Sequence, residues 1–415
     1  MSPGRGLITV YAALTAASFF GFPIAALLPV MLGVASRPVS VVYRGAVLVA
    51  SLAYVGAASR ARRPVLPTPI CWALGLLAIM LIARFMWDSL GAALPLDIDW
   101  DFLWTQVLIF NLGPVLPFLS VPSRDALAAA HNWCIWIGLL SVLAIGIGAT
   151  LSFHHAQHGG RFATDVINPI SVGVTGVSLF VVCLSAQGTG TVAFQNWQSA
   201  TVRAVGGILG VVYCVLSASK GPLLSLVVVA SVMFSYRFVR LHPRRQLLEL
   251  AGVLLIICLL VVVGLVLSQH GLLTIYDRLS EAGSSRDQST AWRVRAWTGA
   301  LAQYNGSPLW GSGAVELTTR NYPHNFLLET MIAAGVGGLM VLLFLLALGS
   351  VAAHRILRDS PEYSWIVLLF LESVIVSLVS GSIYLVATLW IPLLMVFSAY
   401  QSRELAGDCL YPRQV

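Results

Sequence analysis

Residues 325–350 read NFLLETMIAAGVGGLMVLLFLLALGS, and no charged residue follows Glu329 until Arg355. A helix needs about 20 consecutive apolar residues to cross a bilayer. Strands of a membrane barrel are about 10 residues long and alternate apolar with polar positions, so an unbroken run of this length is helical. Comparable runs precede it near 7–33, 39–57, 68–87, 101–121, 126–152, 171–190, 201–218, 221–237 and 250–268, and two follow it near 363–380 and 383–400. The whole chain agrees: 58% of its 415 residues are apolar and 10% are charged, against roughly 25% charged in a soluble domain. The expected fold is all-α, a polytopic integral membrane protein of about 12 transmembrane helices forming one transmembrane domain over residues 1–415. The run 7–33 exceeds the apolar part of a cleaved signal and is read as the first span.

Arginine placement orients this bundle. The connections with Arg60, Arg62 and Arg63, with Arg237, Arg240, Arg244 and Arg245, and with Arg355 and Arg358 fall on one side, together with both termini. Positive loops stay cytoplasmic, so that side is inside. The opposite side receives the acidic loop 88–101, the His-rich loop 153–170 and a long loop, 269–324, before the tenth span. The six cysteines suggest neither a disulfide framework nor a CxxC metal site.

Several cations lie on the outer face, where the orientation rule does not call for them. Arg44 and Arg84 sit just inside apolar spans near their external ends. A charge within a span is costly and suggests function, although a long side chain can also snorkel to the interface. The long loop contains more. Residues 289–304 have the signature of a short amphipathic helix, in which Arg293, Trp297 and Leu301 recur every four positions and share a face that Arg295 does not. Ser307-Pro308-Leu309-Trp310-Gly311-Ser312-Gly313 follows as a turn whose glycines let backbone come close to a neighbour. Tyr322-Pro323-His324-Asn325 then opens the tenth span. A helix N-terminus disfavours imidazolium, so His324 is expected to be neutral and able to accept a proton. The plainer alternative is a histidine that only satisfies a helix cap.

Arg293-x-x-x-Trp297, then Ser307-Pro308-Leu309-Trp310-Gly311-x-Gly313, then Pro323-His324-Asn325-x-x-Leu328-Glu329 resembles the signature of the bacterial O-antigen ligase family. O-antigen polymerases and some protein O-oligosaccharyltransferases share it. Ser217-Ala218-Ser219-Lys220-Gly221-Pro222 resembles a second family motif, with Lys220 where the family usually has arginine. Arg161, close to Asn168-Pro169, is similar to a further family position. The resemblance implies a GT-C-like glycosyltransferase of lipopolysaccharide biosynthesis in the bacterial inner membrane, with its site facing the periplasm. A glycan would pass from undecaprenyl diphosphate to a sugar hydroxyl of lipid A–core oligosaccharide, with inversion and without cofactor or metal. His324 would be the base, and Arg161, Lys220 and Arg293, with Arg44 and Arg84, would surround the diphosphate. Trp297, Asn325, Glu329, Gly311 and Gly313 would support the site. Fixed cations can stabilise a departing diphosphate as a metal would.

Other constellations compete. Asp97-Ile98-Asp99-Trp100-Asp101 contains a DxD pattern of the kind that holds Mg²⁺ or Mn²⁺, or else is an acidic interfacial loop. His154, His155 and His158 have no clear carboxylate partner for a metal site. Glu372, within the eleventh expected span, is the main support for a secondary transporter or lipid flippase. No inverted repeat or pair of broken spans accompanies it, and neither a P-loop nor a nucleic-acid motif is present.

Overall fold

The computed structural model describes residues 3–91, 100–151, 162–185, 197–238, 288–384 and 387–410, and over these the chain is built of helices. Helix α1 (Pro3–Ala16) passes through a π turn at Ala17–Gly21 into α2 (Phe22–Leu32), and α3 (Ser36–Arg60) and α4 (Thr68–Met86) follow. A helical stretch from α5 (Trp100–Thr105) through Leu119 leads to α6 (Arg124–Leu151). Then come α7 (Pro169–Leu184), α8 (Trp197–Leu216), α9 (Lys220–Phe238), α10 (Gln288–Gly306), α11 (Phe326–Asp359), α12 (Ser364–Val379) and α13 (Trp390–Leu410).

Six helices among the described residues are long and apolar enough to cross a membrane, and four shorter apolar ones accompany them. Their outer faces are apolar as well: Val42, Val49, Trp72 and Ile79 on α3 and α4 are all more than two-thirds exposed. Such a surface belongs in lipid rather than water. The chain is therefore a multi-pass membrane protein of all-α class. The expected span near 250–268 lies outside the described residues.

Among the boundaries that differ from expectation, two lie at the C-terminal end. The last helix starts at Trp390 instead of near 383, because Glu329 takes the hydroxyl of Ser382 at 2.6 Å and the N–H of Ile383 at 2.5 Å into a turn. Helix α11 continues past 350 to Asp359, where Arg355 donates to the Tyr400 hydroxyl at 2.5 Å and Arg358 pairs with Asp359 at 2.8 Å. Two buried ionisable groups inside the bundle find partners. Glu372 on α12 accepts from Ser178 on α7 at 2.9 and 3.1 Å, and His131 Nε2 meets the carbonyl of Val182 at 2.7 Å while its ring stacks on Trp365.

The break in α11 organises the outer face. Gly335 has φ +63° and ψ −160°, which no helix continues through, so backbone groups on either side lose their helical partners. The turn 307–313 fills the gap. Ser312 and Gly313 donate N–H to the carbonyl of Ile332 at 2.7 and 3.0 Å, and Val336 donates to Pro308 at 2.8 Å. Arg84 on α4 completes it with bonds to the carbonyls of Ala333, Trp310 and Gly311 at 3.2, 3.0 and 3.1 Å. Asp88, one turn further on, lies 3.6 Å from Arg84 and accepts the Ala314 N–H at 2.5 Å.

Candidate active site

His324 stands two residues before the first turn of α11, and each neighbour has a local task. Asn325 is the cap: its side-chain oxygen accepts from Leu327 and Leu328 at 3.0 and 3.2 Å, filling two of the helix's unsatisfied N–H groups. Pro323 offers its carbonyl to the indole N–H of Trp297 on α10 at 2.8 Å. Between them His324 takes φ +55°, a left-handed conformation. Histidine visits this region rarely, and strained backbone of this kind collects at functional sites.

The preceding loop is tied down so that this geometry holds. Buried Glu316 accepts from the N–H groups of Thr318 and Thr319, both at 2.7 Å, and from the Thr319 hydroxyl at 2.6 Å. Gln303 on α10 bonds the loop at Val315 and Leu317. Helix α10 extends over Gln288–Gly306, where the sequence suggested 289–304, but its buried face is led by Ala296 and Ala300, and Leu301 is exposed. Small alanines let α10 lie close to its neighbours, which is why the burial does not follow the larger apolar residues.

His324, Lys220 and Arg293 line one cavity of about 290 Å³, together with Ile170, Ser219, Gly221, Ser289, Trp292 and Ser380. Three remote segments supply the three ionisable groups. Lys220 is the first residue of α9, and Ala218 at φ +47° turns the chain into that helix. Gly221 admits the end of α12: a Cβ there would lie 2.9 Å from Val379 and 3.3 Å from the Ser380 hydroxyl. The N-terminus of α9 adds its own partial positive charge beside Lys220. Arg293 comes from α10 and donates to the Ser380 hydroxyl at 3.3 Å.

The imidazole is held on three sides. Trp292 and Tyr322 meet it edge to face, at 5.2 and 4.3 Å between ring centres, and its Nδ1 lies 3.4 Å from the carbonyl of Ser380. A carbonyl can only accept, so Nδ1 carries the proton and Nε2 has the free lone pair. Burial pushes the His324 pKa down to about 4, and the nearby Arg293 charge pushes the same way, against the opposing effect of the Ser380 carbonyl. The ring is neutral at pH 7.

Of the other expected cations, Arg44 and Arg84 do not line this cavity. Arg84 is committed to the backbone of the 307–313 turn, and Arg44 lays its guanidinium over the Phe22 ring at 5.0 Å. Arg161, Asp97, Asp99, His154, His155 and His158 lie outside the described residues. Gly311 and Gly313 serve the turn in the α11 break, and Glu329 fastens the turn after α12. Trp292, Ser289 and Ser380 are cavity residues that sequence reasoning missed. Trp292 could have been suspected as the neighbour of Arg293, but Ser380 lies 56 residues beyond His324 and carries no motif.

A search of curated proteins returned no match. The model of the O-antigen ligase family matches residues 205–343, from within α8 to within α11, about a third of the chain. Lys220, Arg293 and His324 all fall inside the matched stretch; Arg44, Arg84, Arg161 and Ser380 fall outside it. Over residues 205–343, this multi-pass membrane protein is similar to the O-antigen ligase family.

Proposed function

We propose that this protein is an O-antigen ligase: an inverting, metal-independent glycosyltransferase of the bacterial inner membrane, working at the periplasmic face with both termini in the cytoplasm. The donor is a glycan on undecaprenyl diphosphate and the acceptor a sugar hydroxyl of lipid A–core oligosaccharide. The observation that carries this reading is the meeting of His324, Lys220 and Arg293 on one cavity.

Nε2 of His324 takes the proton of the acceptor hydroxyl as its oxygen attacks the anomeric carbon. The bond from that carbon to the diphosphate breaks on the opposite face, and its electron pair leaves with the diphosphate. Arg293, Lys220 and the N-terminus of α9 meet the charge that gathers there. No covalent enzyme intermediate is needed, so the anomeric centre inverts once. A base with a pKa near 4 is well deprotonated but weak. Bound diphosphate corrects this: it offsets the Arg293 charge that helps to hold the imidazole down, and the base strengthens when the donor is in place.

The test is transfer by purified protein in lipid, with lipid A–core and a second lipid-linked glycan offered as competing acceptors. Glycan on lipid A–core supports the ligase. Chain growth on the second lipid would make the protein an O-antigen polymerase, and modification of an added acceptor protein would make it an O-oligosaccharyltransferase. No transfer to any of them would sink the glycosyltransferase reading.

A further inference from the structure

Ser380 touches both halves of the proposed chemistry. It ends α12, where its own N–H bonds the carbonyl of Val376 at 2.8 Å, and it lines the cavity. Its carbonyl faces His324 Nδ1 at 3.4 Å, and its hydroxyl accepts from Arg293 at 3.3 Å. A hydroxyl has one proton as well as two lone pairs. Among the described residues that proton meets no acceptor. Accepting from a guanidinium polarises the O–H and makes it a better donor to an anion.

The turn that follows is rigidly held. Buried Glu329, five residues after His324 and in the first turn of α11, grips Ser382 and Ile383. Asn111 donates to the carbonyls of Ile383 and Tyr384 at 2.9 and 3.2 Å, and the Tyr384 hydroxyl donates to Leu81 at 3.4 Å. Ser380 is therefore fixed relative to α11, the helix that begins two residues after His324.

We propose that Ser380 completes the anion site: its hydroxyl accepts from Arg293 and donates to an oxygen of the bound diphosphate, while its carbonyl holds the tautomer of His324. The base and the anion site are thereby set at a fixed separation by one residue outside the family's matched stretch. The inference rests on the reading of this cavity as a diphosphate site.

Threonine and valine have the same shape and differ by the hydroxyl, so Ser380→Thr and Ser380→Val isolate it. Inorganic pyrophosphate is the probe, titrated into the purified full chain in lipid nanodiscs, with Arg293→Ala as the control for loss of the site. The expected result is that Ser380→Thr binds pyrophosphate as the wild type does and Ser380→Val binds about tenfold more weakly, the size of one hydrogen bond to a charged group. In transfer assays the same factor should enter the donor KM, with the acid limb of the pH profile unmoved, since both variants keep the carbonyl. Equal binding by the two variants overturns the proposal, and so does a wild-type chain that does not bind pyrophosphate. If the binding difference holds but no glycan is transferred, the assigned reaction fails while the role of Ser380 in anion binding stands.

Discussion

Gly311 sits against the carbonyl of Ile332 so closely that a Cβ on it would lie 2.5 Å from that oxygen, and its own φ is +72°. Two penalties thus fall on any side chain there, one from the left-handed backbone and one from the clash with α11. The carbonyl cannot retreat, because it also accepts from Ser312 and Gly313.

Gly311→Ala should therefore lower the melting temperature by several degrees, since the left-handed conformation alone costs roughly 1–2 kcal/mol in a residue with a Cβ. Gly306→Ala is the control: nothing lies within 4 Å of a Cβ at Gly306, and its φ is not positive. Thermal unfolding in detergent should separate the two variants clearly. Equal melting temperatures would mean that the turn is not docked into the break of α11.

The base assignment makes two claims on the pH profile. His324→Ala should reduce turnover by about 10²-fold or more, the lower range for general-base catalysis. In the wild type, protonation of His324 abolishes the base, so activity is lost as pH falls and not as it rises. The acid limb of kcat/KM, which reports the free enzyme, should lie near pH 4, well below the ordinary histidine value. The limb of kcat should lie at higher pH, because the bound diphosphate offsets Arg293 and raises the imidazole pKa. A kcat limb at or below that of kcat/KM would contradict a diphosphate beside His324.

Much of this was legible in the sequence where the signal is local. Long apolar runs announce helices because lipid demands internally bonded backbone, and Pro323-His324-Asn325 announces a helix start because Asn325 can cap it. What was not legible depends on contacts between distant segments. The environment of Arg84 follows from carbonyls exposed by the break at Gly335, some 250 residues later, a consequence that no periodicity encodes. The buried face of α10 was misjudged for another reason: Ala296 and Ala300 bury because they are small, and Trp297 is placed by its bond to Pro323 as much as by its size.

Charge stabilisation by fixed cations has a direct consequence for metal dependence. Removing divalent ions from an assay with about 10 mM Mg²⁺ by a chelator should leave transfer intact, because Arg293 and Lys220 supply the charge a metal would otherwise supply. Loss of transfer on chelation, reproduced by Asp97→Asn or Asp99→Asn, would instead assign the diphosphate to the DxD segment.

Three arginines of similar chemistry should behave in three different ways. Arg293 lines the cavity and reaches Ser380, so Arg293→Ala should raise the donor KM and lower kcat together, as loss of a contact to both the bound donor and the departing diphosphate requires. Arg295, two residues on, is exposed on another face of α10, and Arg295→Ala should transfer glycan within about twofold of wild type. Arg84 spends its donors on the carbonyls of Ala333, Trp310 and Gly311. Its removal also leaves buried Asp88 without its cationic neighbour, so Arg84→Ala should cost about 3 kcal/mol or more of stability. The folded fraction should nevertheless keep the wild-type donor KM. Melting temperature and donor KM, measured on all three variants, separate these roles. A dead Arg295→Ala beside an active Arg293→Ala would shift the helical register of the site by two residues. A donor KM raised by Arg84→Ala at unchanged stability would return Arg84 to the diphosphate, where its position near the outer end of a span first suggested it.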